Sequence, residues 1–172
     1  MSNYKGSRDS RFVTLRRGGT LKDSDHHLLA AWAADCADHV LHYFFKQRPM
    51  DNRPQIAIEQ ARAWSRGEIS MTQAREAAYA AHNAAKETEG AACAAARSAG
   101  HAVAVAHMAD HELGAAAYAI KAVREASPIE IREKVGKIEC IWQRDNLPKA
   151  IYDLVISDQQ TRNIKFWSFF DC

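Results

Sequence analysis

The sequence predicts an all-α fold: a single-domain bundle of about six to seven helices around an alanine-rich, closely packed centre. Three observations carry this. Apolar residues recur at spacings of three and four over long stretches, no segment of convincing length alternates as a strand would, and proline, glycine and capping residues stand where the helical periodicity breaks. At 172 residues the chain suits one core, and 47% hydrophobic with 26% charged residues excludes wholesale disorder.

The elements follow in order. Leu29, Trp32, Ala33, Cys36, Val40 and Tyr43 form one stripe over residues 24–47, with Ser24 or Asp25 as N-cap and Pro49 just beyond the end. After a loop at 49–53, Pro54 suits a first helical turn, Ala57, Ala61 and Trp64 share a face, and Gly67 stands where a left-handed C-terminal cap belongs. Ser70 with Gln73 reads as a capping box that opens a third helix to about Glu89, and Gly90 breaks the chain before a fourth.

From 74 to 126 alanine dominates, so helix axes can approach closely, with Tyr79, Met108 and Tyr118 expected to fill the gaps and Gly100 to lie on a seam. A break near 109–114 divides this stretch in two. Ser127, Pro128 and Glu130 predict the start of a helix through about Trp142, and Asn146 with Pro148 predicts a last one through Ile156. The organisation expected is a basic N-terminal segment over 1–23 with a short extended piece at 12–15, a helical domain over 24–160, and a tail over 161–172. That tail carries Phe166, Trp167, Phe169 and Phe170; it should dock on the body, or failing that on a partner chain.

Net charge is +2, from 23 basic and 21 acidic residues, too weak and too mixed for a nucleic-acid footprint. The basic N-terminus lacks the apolar core of a secretory signal, and the most apolar window, 91–108, is mostly alanine and holds Arg97, His101 and His107. A cytoplasmic protein with no membrane span is the expectation. Cys36, Cys93, Cys140 and Cys172 are far apart without a C-x-x-C pair, and are expected to be reduced thiols.

Eight histidines raise the question of a metal. The spacing of His107 and His111 predicts both on one helical face, as in the H-E-x-x-H zinc motif, but Met108 stands where that motif has its glutamate. Asp35, His39 and His42 line up on the first helix, with Asp38 four residues before His42, and Glu59 precedes Arg62 on the second; these read as solvated surface charge. No G-x-S-x-G elbow, activated cysteine or P-loop is present. The expectation is a non-enzyme with no metal and no cofactor.

Several strings together resemble a known family: RFVTLRRGGTL at 11–21, LLAAWAADCADHVL at 28–41, IAIEQARAWSRGEI at 56–69, AAYAAHNAAKE at 77–87, AARSAGHAVAVAHMADHELGAAAYAIKAV at 95–123 and IWQRDNLP at 141–148. They are similar to the bacterial immunity proteins grouped as immunity-five-like. The resemblance implies an all-helical protein that protects against a toxin, and some relatives carry an exonuclease label that no motif here supports. Its matching polar residues are Asp35, Arg62, His82, Arg97, His101, His107 and His111, with Trp32 and Trp64 beside them, read first as an internal polar network and second as a ligand or partner surface. The partner implied is a cognate toxin; separately, a pI near 8.4 without an acidic run points to a largely apolar contact, for which Trp167, Phe169 and Phe170 are the candidate residues. A homodimer is a secondary expectation. The competing functions are a small metal- or ligand-binding protein or enzyme built on the histidines, and a structural homo-oligomer using the aromatic tail.

Overall fold

The computed structural model describes residues 7–172. Among them are seven α-helices: α1 (Asp23–Gln47), α2 (Arg53–Ser65), α3 (Met71–Lys86), α4 (Gly90–Ala104), α5 (Glu112–Glu125), α6 (Arg132–Asp145) and α7 (Lys149–Arg162). The one bridge among the described residues, Thr14 to Leu21, closes a turn and is not part of a sheet. The chain is all-α, as its periodicity predicts.

The centre is α4, and α1, α2, α3 and α5 all pack on it. Only Gly90, Ala91, Cys93, Arg97 and His101 of this helix escape burial. A helix apolar nearly all round has no solvent face to offer, so it must sit inside its neighbours. Alanine makes that feasible by keeping every flank thin, and Ser98 ties α4 to α5 through a 2.7 Å bond to the Ala115 carbonyl. Bulk comes from the other side of the core: Trp32, Leu29, Val40 and Phe44 of α1 with Leu113 and Ile120 of α5. Trp32 donates its indole N–H to the Gln143 carbonyl at 2.9 Å, which satisfies its one polar atom.

The helix boundaries show where local chemistry suffices. Ser70 and Gln73 form the reciprocal capping box of α3, and Gly67 takes φ 74°, the left-handed value expected at that turn. Other expectations needed correction. Ser127 does not cap α6: its hydroxyl donates backwards to the Val123 carbonyl, a 3-10 turn occupies Ile129–Ile131, and the helix begins at Arg132. The last helix runs on past Ile156 to Arg162, because its buried stripe continues in the polar residues Asp158 and Gln159, each with an arginine partner. Tyr79 fills no gap; it is 63% exposed, since the buried stripe of α3 falls on Ala74, Ala78, Ala81 and Ala85. The extended piece expected over 12–15 is shorter than that: Val13 and Thr14 are extended, with Thr14 bridged to Leu21, while Phe12 and Leu15 belong to the 3-10 turns on either side.

The described segments on either side of the helices join the core. Phe12 and Leu21 are buried in the same cluster as the helices, and so is Phe170. The tail folds back on its own body: Arg144 donates to the carbonyls of Phe170 (2.8 Å) and Cys172 (3.0 Å), and Asn163 bonds to Asp171 and to the Phe170 amide. Cys140 and Cys172 form a disulfide, with Cα atoms 6.2 Å apart, which corrects the expectation of four reduced thiols. Their separation of 32 positions hid the pair, since only tail docking brings the two together. Cys36 and Cys93 are free. No helix of the described residues is long and apolar enough to cross a membrane.

Candidate functional site

Five of the seven polar residues singled out in the sequence form one row across α3, α4 and the α4–α5 connection. Arg97 lies 3.3 Å from His82 Nδ1, the His82 and His101 rings are 5.2 Å apart, and His101 Nδ1 meets His111 Nδ1 at 3.2 Å. His107 continues the row, 5.4 Å from His111. A hydrogen bond between two imidazoles needs one N–H donor and one bare nitrogen, so the pair is held in complementary tautomers. His107 and His111 do not share a helix: α4 stops at Ala104, and the two rings approach across the turn that follows.

Two glycines make room for the row. A Cβ on Gly100 would lie 2.6 Å from the His82 ring, and one on Gly114 would lie 2.6 Å from that of His101. Burial holds the imidazoles neutral: it pushes His82 down to about 4, His101 to about 3, with help from the neighbouring His111, and His111 to about 4. These folded values lie below the 6.5 of a free imidazole, so the unfolded chain binds more protons as pH falls from about 6.5 towards 4. Stability from this source is complete above that window and lost within it. The urea midpoint should therefore be lower at pH 5 than at pH 7, with part of the difference removed in His101→Gln. A fall in midpoint from pH 7 to pH 5 as large in His101→Gln as in the parent would mean that this imidazole titrates as freely in the fold as in the unfolded chain.

Asp35 and Arg62 lie elsewhere. Arg62 reaches from α2 to α1, bonding Asp35 at 2.9 Å and Asp38 at 3.1 Å, while Glu59 accepts from Gln55 instead. Beside this cluster His39 stacks on Trp142 at 3.7 Å between centroids and bonds Glu139 at 2.8 Å. This is an exposed junction of α1, α2 and α6, and it does not meet the histidine row.

The row does meet the tail. His101 stacks on Tyr118, Tyr118 meets Trp167 edge-on at 5.5 Å, and Lys121 and Arg124 lie over Trp167 and Phe169 at 4.9 and 4.7 Å. Of the three tail residues expected to face a partner, Phe170 is buried in the body, Phe169 is partly buried and Trp167 is 46% exposed. Trp167 and Ser168 hold φ of 59° and 56°, consecutive left-handed residues that are not glycine. A cavity of about 330 Å³ opens beside them between Arg124, Gly136 and Lys137.

A family model described as "Imm-5 like putative immunity protein" matches residues 19–150. The chain belongs to this family. The Imm-5 like match spans α1 to α6 and the whole histidine row, together with Asp35 and Arg62, and ends before the aromatic tail. No curated protein and no solved structure matches the chain. Among the described residues no three His, Cys, Asp or Glu side chains converge as a metal site would require.

One cluster in this Imm-5 like fold went unnoticed in the sequence. Glu112, fully buried at the start of α5, shares Arg162 of α7 with Asp158, and Arg162 also donates to the Asp110 carbonyl at 3.0 Å. Burial, reinforced by the Asp158 carboxylate, pushes the Glu112 carboxyl well above its usual range. The i, i+4 spacing of Asp158 and Arg162 was readable as an ion pair, but its burial was not.

Proposed function

We propose that the protein binds a cognate bacterial toxin and neutralises it by occlusion, with no reaction of its own. Membership of an immunity-protein family supports a toxin as partner. The observation that carries the surface assignment is Trp167, displayed on a left-handed backbone that Arg144, Asn163 and the Cys140–Cys172 disulfide hold in place. Backbone of this kind persists where the surroundings over-determine it, and it clusters at functional sites. A rigid, half-exposed tryptophan is the residue type that most often anchors a protein interface, since it supplies large contact area at little cost in entropy.

The charges around Trp167 are mixed, with Lys121 paired to Glu125 and Lys137 to Glu133. Such a rim gives weak steering, so the association rate should change little between low and moderate ionic strength. A toxin nuclease engaged at its phosphate-binding cleft would instead call for an acidic inhibitor surface, and a pI near 8.4 argues for a contact away from such a cleft.

The test is to purify the protein with the product of the adjacent toxin-like gene and measure binding. Trp167→Ala should weaken the complex by about tenfold or more, with no change in helical content, whereas Tyr79→Ala on the exposed face of α3 should leave it intact. Equal binding by the Trp167 variant moves the interface elsewhere. Failure of every neighbouring product to bind would remove the immunity reading itself.

A further inference from the structure

A second cavity, of about 400 Å³, lies between the N-terminal segment, the first turns of α1 and α3, the end of α2 and the α4–α5 connection. Its apolar side is built on Phe12, Trp64 and Met71, and apart from Thr14 its polar side chains are cationic or imidazole: Arg8, His26 and His107, with the exposed Arg16 and Arg17. No carboxylate lines it among the described residues.

Two of its polar atoms are left over. Arg8 Nε and His107 Nδ1 are both buried, and neither has a hydrogen-bond partner among the described residues. Buried polar atoms are almost always paired, because an unpaired one forfeits its hydration for nothing, so one on each of two residues lining the same cavity points to a missing partner. His26 is not in that position: its Nε2 is held 2.6 Å from the Val105 carbonyl and its ring leans on Trp64 at 4.6 Å, which sets the aromatic wall.

We infer that this cavity is a binding site for a small organic anion with an aromatic body. The guanidinium of Arg8 offers parallel N–H donors that match a phosphate or carboxylate, and His107 supplies a further hydrogen bond at the same end. Volume argues against a bare oxyanion, since a site of about 400 Å³ is in the range that holds a whole small molecule. The wall of Trp64 and Phe12 gives a ring its contact surface. Phosphate and carboxylate ligands share this chemistry, and their relative affinities separate them. The site is independent of toxin binding at Trp167, on which it does not rest.

The experiment is calorimetric titration of the full chain with 1-naphthyl phosphate, 1-naphthoate, 1-naphthol and inorganic phosphate. Saturable one-to-one binding of one of the two naphthyl anions is expected, with naphthol and inorganic phosphate each weaker by about tenfold or more. Arg8→Gln and His107→Gln should each weaken that anion about tenfold, while Arg66→Gln, whose guanidinium is paired with Glu68 in solvent, should bind as the parent does. Far-UV spectra confirm that the variants are folded. Absence of saturable binding by either anion overturns the inference, as does binding indifferent to Arg8→Gln. Naphthol as tight as the anions would overturn the anion end, and inorganic phosphate as tight would overturn the aromatic end.

Discussion

Replacing Arg162 by methionine is expected to cost the fold about 3–5 kcal/mol, the range for removing one partner of a buried ion pair. Among the described residues Arg162 is the one cation set between Glu112 and Asp158, two buried carboxylates that interact with each other. Its guanidinium also lies near the Phe12 and Phe166 rings, at 5.9 and 5.4 Å, so it pins the N-terminal turn and the tail to the end of α7. Methionine keeps much of the apolar stem but leaves the carboxylates facing each other. One of them must then take a proton.

The sign with pH follows from the Glu112 shift. A carboxyl whose folded pKa lies above its unfolded value favours the fold while protonated, and that advantage is lost as pH rises. The deficit of Arg162→Met relative to the parent should therefore shrink between pH 7 and pH 5, although acid weakens both proteins through the histidine row. Adding Glu112→Gln should restore part of the loss, because the second negative charge is gone. Urea denaturation of the four proteins of this cycle measures it. A loss under about 1 kcal/mol, as for an exposed pair, would show that solvent reaches the cluster.

Gly100→Leu is expected to destabilise by roughly 1–3 kcal/mol or more, the cost of overpacking a filled core. Its Cβ alone would lie 2.6 Å from His82, and the remaining carbons would have to displace the ring from its place beside Arg97. A competing effect favours the substitution: a helical glycine costs roughly 0.8–1.0 kcal/mol against alanine in propensity. Packing should dominate, since the helix interior offers no second route for the side chain. Combining Gly100→Leu with His82→Ala vacates the clash and should recover stability relative to Gly100→Leu alone. A single variant as stable as the parent would mean that His82 swings outward at no cost.

The helices themselves were legible because their causes are local. The stripe from Leu29 to Tyr43, the Ser70–Gln73 box and the left-handed Gly67 each act within a turn or two of chain, where spacing is fixed by covalent geometry. Legibility failed where a polar residue had more than one possible partner, or where its burial depended on a distant element. Ser127 looked like a cap but back-bonds to Val123, and α7 seemed to end at Ile156 because the apolar stripe stops while Asp158 and Gln159 stay buried with arginines.

By itself the sequence determined the all-α class, the order and approximate ends of the helices, the crowded alanine centre with Gly100 on its seam, and family membership through strings spread from α1 to α6. Tertiary structure alone decided which polar residues meet. It separated Asp35 and Arg62 from the histidine row, joined Cys140 to Cys172, buried Phe170 while leaving Trp167 on the surface, and placed Arg8 and His107 in one cavity. The reason is range. Helical periodicity states which face of a segment is buried, but not which other face lies against it, and the contacts that decide the candidate sites mostly join residues from different elements.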